Sequence, residues 1–142
     1  MIAAPRSQLG IILNQIALSR HHLHGASETE EVWTSEGRAN FILDNLIAQG
    51  KAQPMVIVTP YGRAYPHISC ESGSLGYPEN MAAFQQDLLS DILPYIEQHF
   101  RVSTHREQRA VAGLSGGGGQ SLSIGFNNLD RFAWIGAFSS AI

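Results

Sequence analysis

Residues 109–120 read R-A-V-A-G-L-S-G-G-G-G-Q, and no other stretch limits the possible folds so severely. Four residues with strand character, Arg109 to Ala112, run into Gly113-Leu114-Ser115-Gly116-Gly117, which satisfies G-x-S-x-G, and a helix-forming segment follows. Strand, serine, helix is the order a nucleophile elbow needs: a serine on so sharp a turn points its hydroxyl outward, beside the N-H groups that open the helix. Glycines at 113 and 117 remove Cβ atoms that would collide across that turn. The pattern alone is weak, since with ordinary Gly and Ser usage it arises by chance in roughly one chain of this size in twenty. Its weight comes from the flanks.

A decoy sits in the same letters. Leu114-Ser115-Gly116-Gly117-Gly118-Gly119-Gln120 looks like an ABC-ATPase signature with two glycines inserted. That reading requires a P-loop upstream, and the single lysine, Lys51, stands in Gly50-Lys51-Ala52 without G-x-x-x-x-G-K-[ST] around it.

The remaining sequence suits an α/β unit. Residues 37–49 carry Ala39, Ile42, Leu43, Leu46 and Ile47 on one helical stripe, with Gly50 where a C-terminal glycine belongs. Met55 to Thr59 is a continuous apolar run of strand length, the mark of a parallel strand covered on both faces. A long Pro/Gly/Ser-rich loop over 60–80 is of the kind that carries function. Met81, Phe84, Leu88, Ile92 and Ile96 predict a helix to about His99, kinked or broken at Pro94. The elbow strand, a helix to about Asn127 and a strand over 132–138 follow. Near the N-terminus, Leu9, Ile12, Leu13 and Ile16 suggest a short amphipathic helix over residues 8–18. Alternating strands and helices imply right-handed βαβ units and a parallel sheet, with ligands at the carboxyl ends of the strands.

Composition excludes several classes. With 142 residues and 44% hydrophobic content the chain can bury one core. A net charge of −3 offers no basic face for nucleic acid. No run is apolar enough for a membrane span, and Asn14 and Gln15 interrupt the N-terminal apolar patch, so no signal peptide is read there. One cysteine, Cys70, forms no internal disulfide. The six histidines have no metal-ligand spacing, so neither a metal site nor a cofactor is expected.

Several separated blocks, in order, resemble the esterase D and feruloyl esterase-like branch of the α/β-hydrolases, which includes the carbohydrate esterases attached to xylanases. They are His24-Gly25, Trp33 with Glu36 to Asn40 and Ile42 to Ile47, Pro54 to Pro60, Asp87 to His99, and Ala110 to Gly119, together spanning most of residues 24–142. The resemblance implies a partial α/β-hydrolase three-layer sandwich with a mostly parallel sheet. It implies hydrolysis of carboxylic esters, often acetyl or feruloyl groups on plant polysaccharide, through a serine, histidine and aspartate triad. Ser115 matches the nucleophile, Gly116 supplies one oxyanion N-H, and Ala26, in the loop after His24-Gly25, supplies the other. Gly116 stands where the family usually has methionine, and the N-H survives the change.

Two departures stand out. The family triad runs serine, acid, histidine, yet downstream of Ser115 there is no histidine and one carboxylate, Asp130, whose place in Asn128-Leu129-Asp130-Arg131 reads as a turn. The chain therefore resembles the N-terminal portion of such an esterase. Upstream, Ser19-Arg20-His21-His22 stands where the family has an apolar strand, so residues 1–22 are set apart as an atypical N-terminal segment and 23–142 as the esterase-like part. His24 reads as a loop anchor, because the base comes last in this fold. Trp33, Tyr61 and Tyr65 are assigned to loops near the expected cleft, with Trp33 and Tyr61 the candidate contacts to an acyl group or sugar. From a different class comes a second reading, an esterase-like scaffold that binds a ligand or partner without turnover.

Overall fold

The computed structural model describes residues 10–12, 18–23, 29–65 and 77–140, the first two groups through their backbone. In chain order the elements are β1 (Gly10–Ile12), β2 (Leu18–Leu23), α1 (Val32–Ser35), α2 (Ala39–Ala48), β3 (Met55–Thr59), α3 (Pro78–Asp87), a π-helical turn (Leu88–Ile92), α4 (Leu93–His99), a 3-10 turn (Arg106–Gln108), β4 (Arg109–Leu114), α5 (Gly116–Asn127) and β5 (Trp134–Phe138). The strands form one sheet in the order β1-β3-β2-β4-β5. β1 pairs antiparallel with β3, and all other neighbours are parallel.

Helices cover both faces. All five residues of β3 are buried. Because side chains alternate along a strand, Met55 and Ile57 pack with Leu43 and Ile47 of α2, while Val56 and Val58 pack on the opposite face with Ile96 of α4. The larger cluster joins Phe84, Leu88, Leu93, Val111, Ile124 and Phe132, so α3, α4 and α5 share the second face. This layering follows from connection handedness: β2 to β3 moves one way across the sheet, β3 to β4 and β4 to β5 the other, and right-handed crossovers then place their helices on opposite sides.

Local signals explain the helix ends. Pro78 opens α3 in its first turn, where a missing N-H costs nothing. Gly50 has φ +67° and follows α2; its N-H donates to Ile47 O and that of Lys51 to Leu46 O, the pair of bonds of a Schellman ending. At Pro94, where a kink or break was expected, the chain stays helical from Pro78 to His99, and Pro94 follows a π-helical turn at Leu88–Ile92. Of the apolar stripe on α2, Leu43 is buried but Ile42 is 55% exposed.

Of the residues 8–18, where an N-terminal helix was expected, the described ones are strand: Gly10, Ile11 and Ile12 form an edge strand and pair with Thr59, Val58 and Ile57, and Leu18 opens β2. Short apolar runs satisfy both periods, and pairing with β3 decides the matter. Leu18–Leu23 is the sheet's middle strand, hydrogen-bonded to β3 on one side and β4 on the other. The boundary drawn between residues 22 and 23 thus falls inside a strand.

At the amino end of β4, Arg109 is 2% exposed and pairs with Glu97 of α4, with further bonds from its guanidinium to Arg131 O at 3.4 Å and Thr104 O at 3.5 Å. Burial lowers its pKa from the ordinary arginine value, and the Glu97 carboxylate opposes that shift. Glu97→Ala strands this buried charge, and urea unfolding is expected to register a loss of about 3 kcal/mol, against little change for Asp130→Ala, whose pair with Arg131 is exposed. Burial, and then the charge of Asp91, raise the pKa of Asp87 above its usual 3.8. The folded state therefore holds that proton more tightly than the unfolded state, and stability falls as pH rises from the unfolded value through the raised one. Asp87→Asn should raise Tm at pH 7, with the gain fading as pH drops toward the unfolded value.

Candidate active site

β4 ends at Leu114 and α5 begins at Gly116, leaving a single residue, Ser115, to turn the chain. Ser115 adopts φ +54° and ψ −118°, a region that residues with a side chain rarely enter. The cause lies two residues upstream. A Cβ on Gly113 would meet Gly117 O at 2.3 Å and Gly118 N at 2.9 Å, so the first turn of α5 lies directly on the end of β4. With helix and strand that close, one residue must absorb the reversal, at a cost on the order of 1–3 kcal/mol. Three bonds hold it there: Ser115 N-H donates to Phe138 O at 2.9 Å, Gly119 N-H to Ser115 O at 3.1 Å, and the buried Ser121 hydroxyl to Gly117 O at 2.8 Å. Ser115 itself is part-exposed. The opening N-H groups of α5, Gly116 first, have no acceptor within the helix, and they lie at its positive end.

The turn stands where the sheet reverses its order. β2 and β4 are neighbours, with Leu23 level with Gly113, and the helices that follow them in sequence, α2 and α5, lie on opposite faces of the sheet. A crevice opens at such a point. Ala26, the second expected oxyanion donor, is three residues beyond Leu23 and lies outside the described residues, as do His24, His67 and Cys70.

Beyond β3, on the same edge of the sheet, the backbone turns through residues 60–65. Tyr61 is part-buried, with the Arg63 guanidinium 5.4 Å from its ring centroid. Gly62 O accepts from two buried amides, Asn80 Nδ2 at 3.0 Å and Gln120 Nε2 at 2.8 Å, and Asn80 Oδ1 accepts from Ala64 N at 2.9 Å and Tyr65 N at 3.2 Å. Gln120 belongs to α5, one and a half turns after Ser115.

Of the histidines with described side chains, neither reaches the turn. His105 precedes β4 and His99 ends α4, bonded through Nδ1 to Tyr95 O at 2.8 Å and stacked on the Tyr95 ring. Both lie toward the amino end of β4, and six strand residues span about 17–20 Å. Asp130 sits in the exposed turn before β5, at that same far edge. His21 and His22 lie in β2, level with Val111 and Ala112. Among the described residues no group of three His, Cys, Asp or Glu side chains could hold a metal ion, and no helix is long and apolar enough to cross a membrane.

A family model of esterases matches residues 18–142. The chain belongs to the Esterase family. The match begins with β2 and runs to the last residue, so this family's frame includes Leu18–Leu23. The chain is 34% identical over 116 residues to an endo-1,4-beta-xylanase/feruloyl esterase of Xylanibacter ruminicola, covering 82% of this chain and 15% of that protein. It superposes on a CE1 ferulic acid esterase of Anaeromyces mucronatus, solved with ferulic acid, with TM-score 0.80 and 30% identity over 94% of this chain and 52% of that one. The feruloyl esterase module of Clostridium thermocellum, solved with sinapinate, shares the fold with TM-score 0.70, covering 87% of this chain and 46% of that one. The chain thus spans about half the length of these solved esterases, and the α/β-hydrolase-type fold implied by the sequence resemblance is the one present.

Within this esterase fold the structure brings Ser115 and Gly116 together at the elbow, and sets Tyr61 on the loop at the same sheet edge. Trp33 was expected in a loop but belongs to α1, half-buried, with its carbonyl against Gly37. Asn80, Gln120 and Arg63 were missed by the sequence reading. Gln120 did carry a signal, as the last letter of the glycine-rich stretch; Asn80 carried none, because its role depends on a carbonyl eighteen residues away.

If the turn stores strain at Ser115, glycine there relieves it. Ser115→Gly is expected to be more stable than Ser115→Ala by about 1 kcal/mol, read as the difference in urea midpoints at equal slope.

Proposed function

We propose that this chain carries the nucleophile half of a serine esterase that acts on carboxylic esters, feruloyl or acetyl groups on plant polysaccharide among them. The supporting observation is the backbone of Ser115, φ +54° between a buried parallel strand and the first turn of a helix. Nothing in the packing of an ordinary loop requires a serine in that conformation, whereas a nucleophile that must project past the sheet edge does. Similarity to the xylanase/feruloyl esterase of Xylanibacter ruminicola and to the Anaeromyces mucronatus esterase supports the substrate class.

In this reading Ser115 Oγ attacks the ester carbonyl carbon as its proton passes to a base. A tetrahedral oxyanion forms and collapses, expelling the alcohol, which takes up a proton, and leaving the acyl group on Ser115. Water then repeats the sequence and releases the acid. Gly116 N-H and the N-H of Ala26 receive the oxyanion, each worth about 3 kcal/mol in the transition state. Trp33 and Tyr61 contact the acyl ring or the sugar. His99, His105 and Asp130 stand at the far edge of the sheet, so this reading takes none of these three as the acid or the base.

The test compares two polypeptides with p-nitrophenyl acetate and methyl ferulate. The 142-residue chain is expected to turn over p-nitrophenyl acetate barely above buffer. A longer polypeptide in which an aspartate and a histidine follow β5 should hydrolyse both, and Ser115→Ala there should lower kcat/KM at least about ten-thousandfold. Rapid Ser115-dependent turnover by the short chain would show that a histidine upstream of Ser115 serves as the base. Hydrolysis indifferent to Ser115→Ala would overturn Ser115 as the nucleophile, and none in the longer chain would leave the non-catalytic scaffold standing.

A further inference from the structure

The loop at residues 60–65 is fastened to the nucleophile helix rather than lying free beside it. One carbonyl, Gly62 O, takes two hydrogen bonds, from Gln120 of α5 and Asn80 of α3, and all three residues are buried. A buried amide that lost this acceptor would bear its desolvation cost without a compensating bond, so the two contacts resist separation. Asn80 then turns its oxygen to the Ala64 and Tyr65 N-H groups, fixing the loop on both sides of Arg63. Arg63, 8% exposed, lies against the Tyr61 ring.

The sheet places this loop relative to the serine. Val58 and Val111 both pair with His21 of β2, so β3 and β4 are level, and both chains leave the sheet at the same edge, after Thr59 and after Leu114. With β2 between them the two strands are about 10 Å apart, and β4 runs two residues past the level of Thr59 before it turns. A separation of that order is what an aromatic acyl group spans.

We infer that Asn80 and Gln120 are positioning residues, which clamp Gly62 so that Tyr61 stands as the wall of the acyl-ring site at a fixed distance from Ser115. The inference rests on the esterase reading given above and names the element that would read the acyl group. Gln120 shares α5 with the turn that holds Ser115, so wall and nucleophile move as one body, and a bulky aryl ester depends on the clamp where a small acetyl ester does not.

Sodium ferulate binding to the 142-residue chain, followed by NMR titration, tests this without turnover. Gln120→Leu removes one donor to Gly62 O. Asn80→Asp removes the other while keeping an oxygen for Ala64 and Tyr65, so it carries the test should Gln120→Leu fail to fold. The Val111 amide in β4 reports hydrogen-exchange protection of the sheet. Expected are five- to tenfold weaker ferulate binding in each variant with Val111 still protected, and a similar loss in Tyr61→Ala. The double variant Tyr61→Ala/Gln120→Leu should bind no more weakly than Tyr61→Ala alone, because Gln120 acts through Tyr61. A merely structural role for Gln120 predicts additive losses instead. Unchanged affinity in both clamp variants, additive losses, or no ferulate binding by the unaltered chain would each overturn the inference. Ser115-dependent hydrolysis in the longer polypeptide is a separate readout, and it can succeed where this one fails.

Discussion

The closeness of two backbones, Gly113 at the end of β4 and Gly117 at the start of α5, is the constraint on which the site depends. No side chain fits between them, so helix and strand meet with one residue left to reverse direction. That residue is forced to positive φ. Ser115 is therefore placed by the packing of its neighbours' main chain, and such placement is rigid in a way that a side-chain contact is not. The cost of the conformation is met by the burial of β4 and α5 around Val111 and Ile124.

The same strand is anchored at its other end by a different kind of interaction. Arg109 is buried with Glu97 and accepted by two loop carbonyls, which fixes where β4 begins just as the glycine contact fixes where it ends. Between these anchors the strand pairs with β2 and β5, and Ser115 N-H bonds to Phe138 O at the end of β5. On the far side of β2, the clamp on Gly62 ties the loop after β3 to α5. The carboxyl edge of the sheet is thus a set of turns cross-linked through α5, which suits a site whose groups must keep their spacing while substrate comes and goes.

Much of this was legible in the residues. The apolar run at Met55 to Thr59 and the striped helices announced themselves by period, and β3 is buried along its whole length. The strand-serine-helix order named the turn correctly because glycine spacing and flank character both point to it. What was misread is equally instructive. Residues 10–12 form a strand because β3 offers an edge to pair with, a fact that no local period contains. Likewise Ser19-Arg20-His21-His22 lacks the apolar character of a middle strand, yet those residues hydrogen-bond to β3 and β4 on both sides. Backbone pairing from two neighbours outweighed side-chain preference there.

By itself the sequence determined the fold class, through the alternation of strand and helix patterns along residues 37–138, and the position of the turn and the residue at its apex, through spacings of fewer than a dozen residues. Only the tertiary structure decided that Asn80 and Gln120 converge on Gly62, that His99, His105 and Asp130 stand at the edge remote from Ser115, and that Leu18–Leu23 is the sheet's centre. The physical reason is the range of the interactions. Helix stripes and turn glycines act within a few residues, whereas convergence on one carbonyl joins positions 62, 80 and 120 and exists only once the sheet has brought them to one edge.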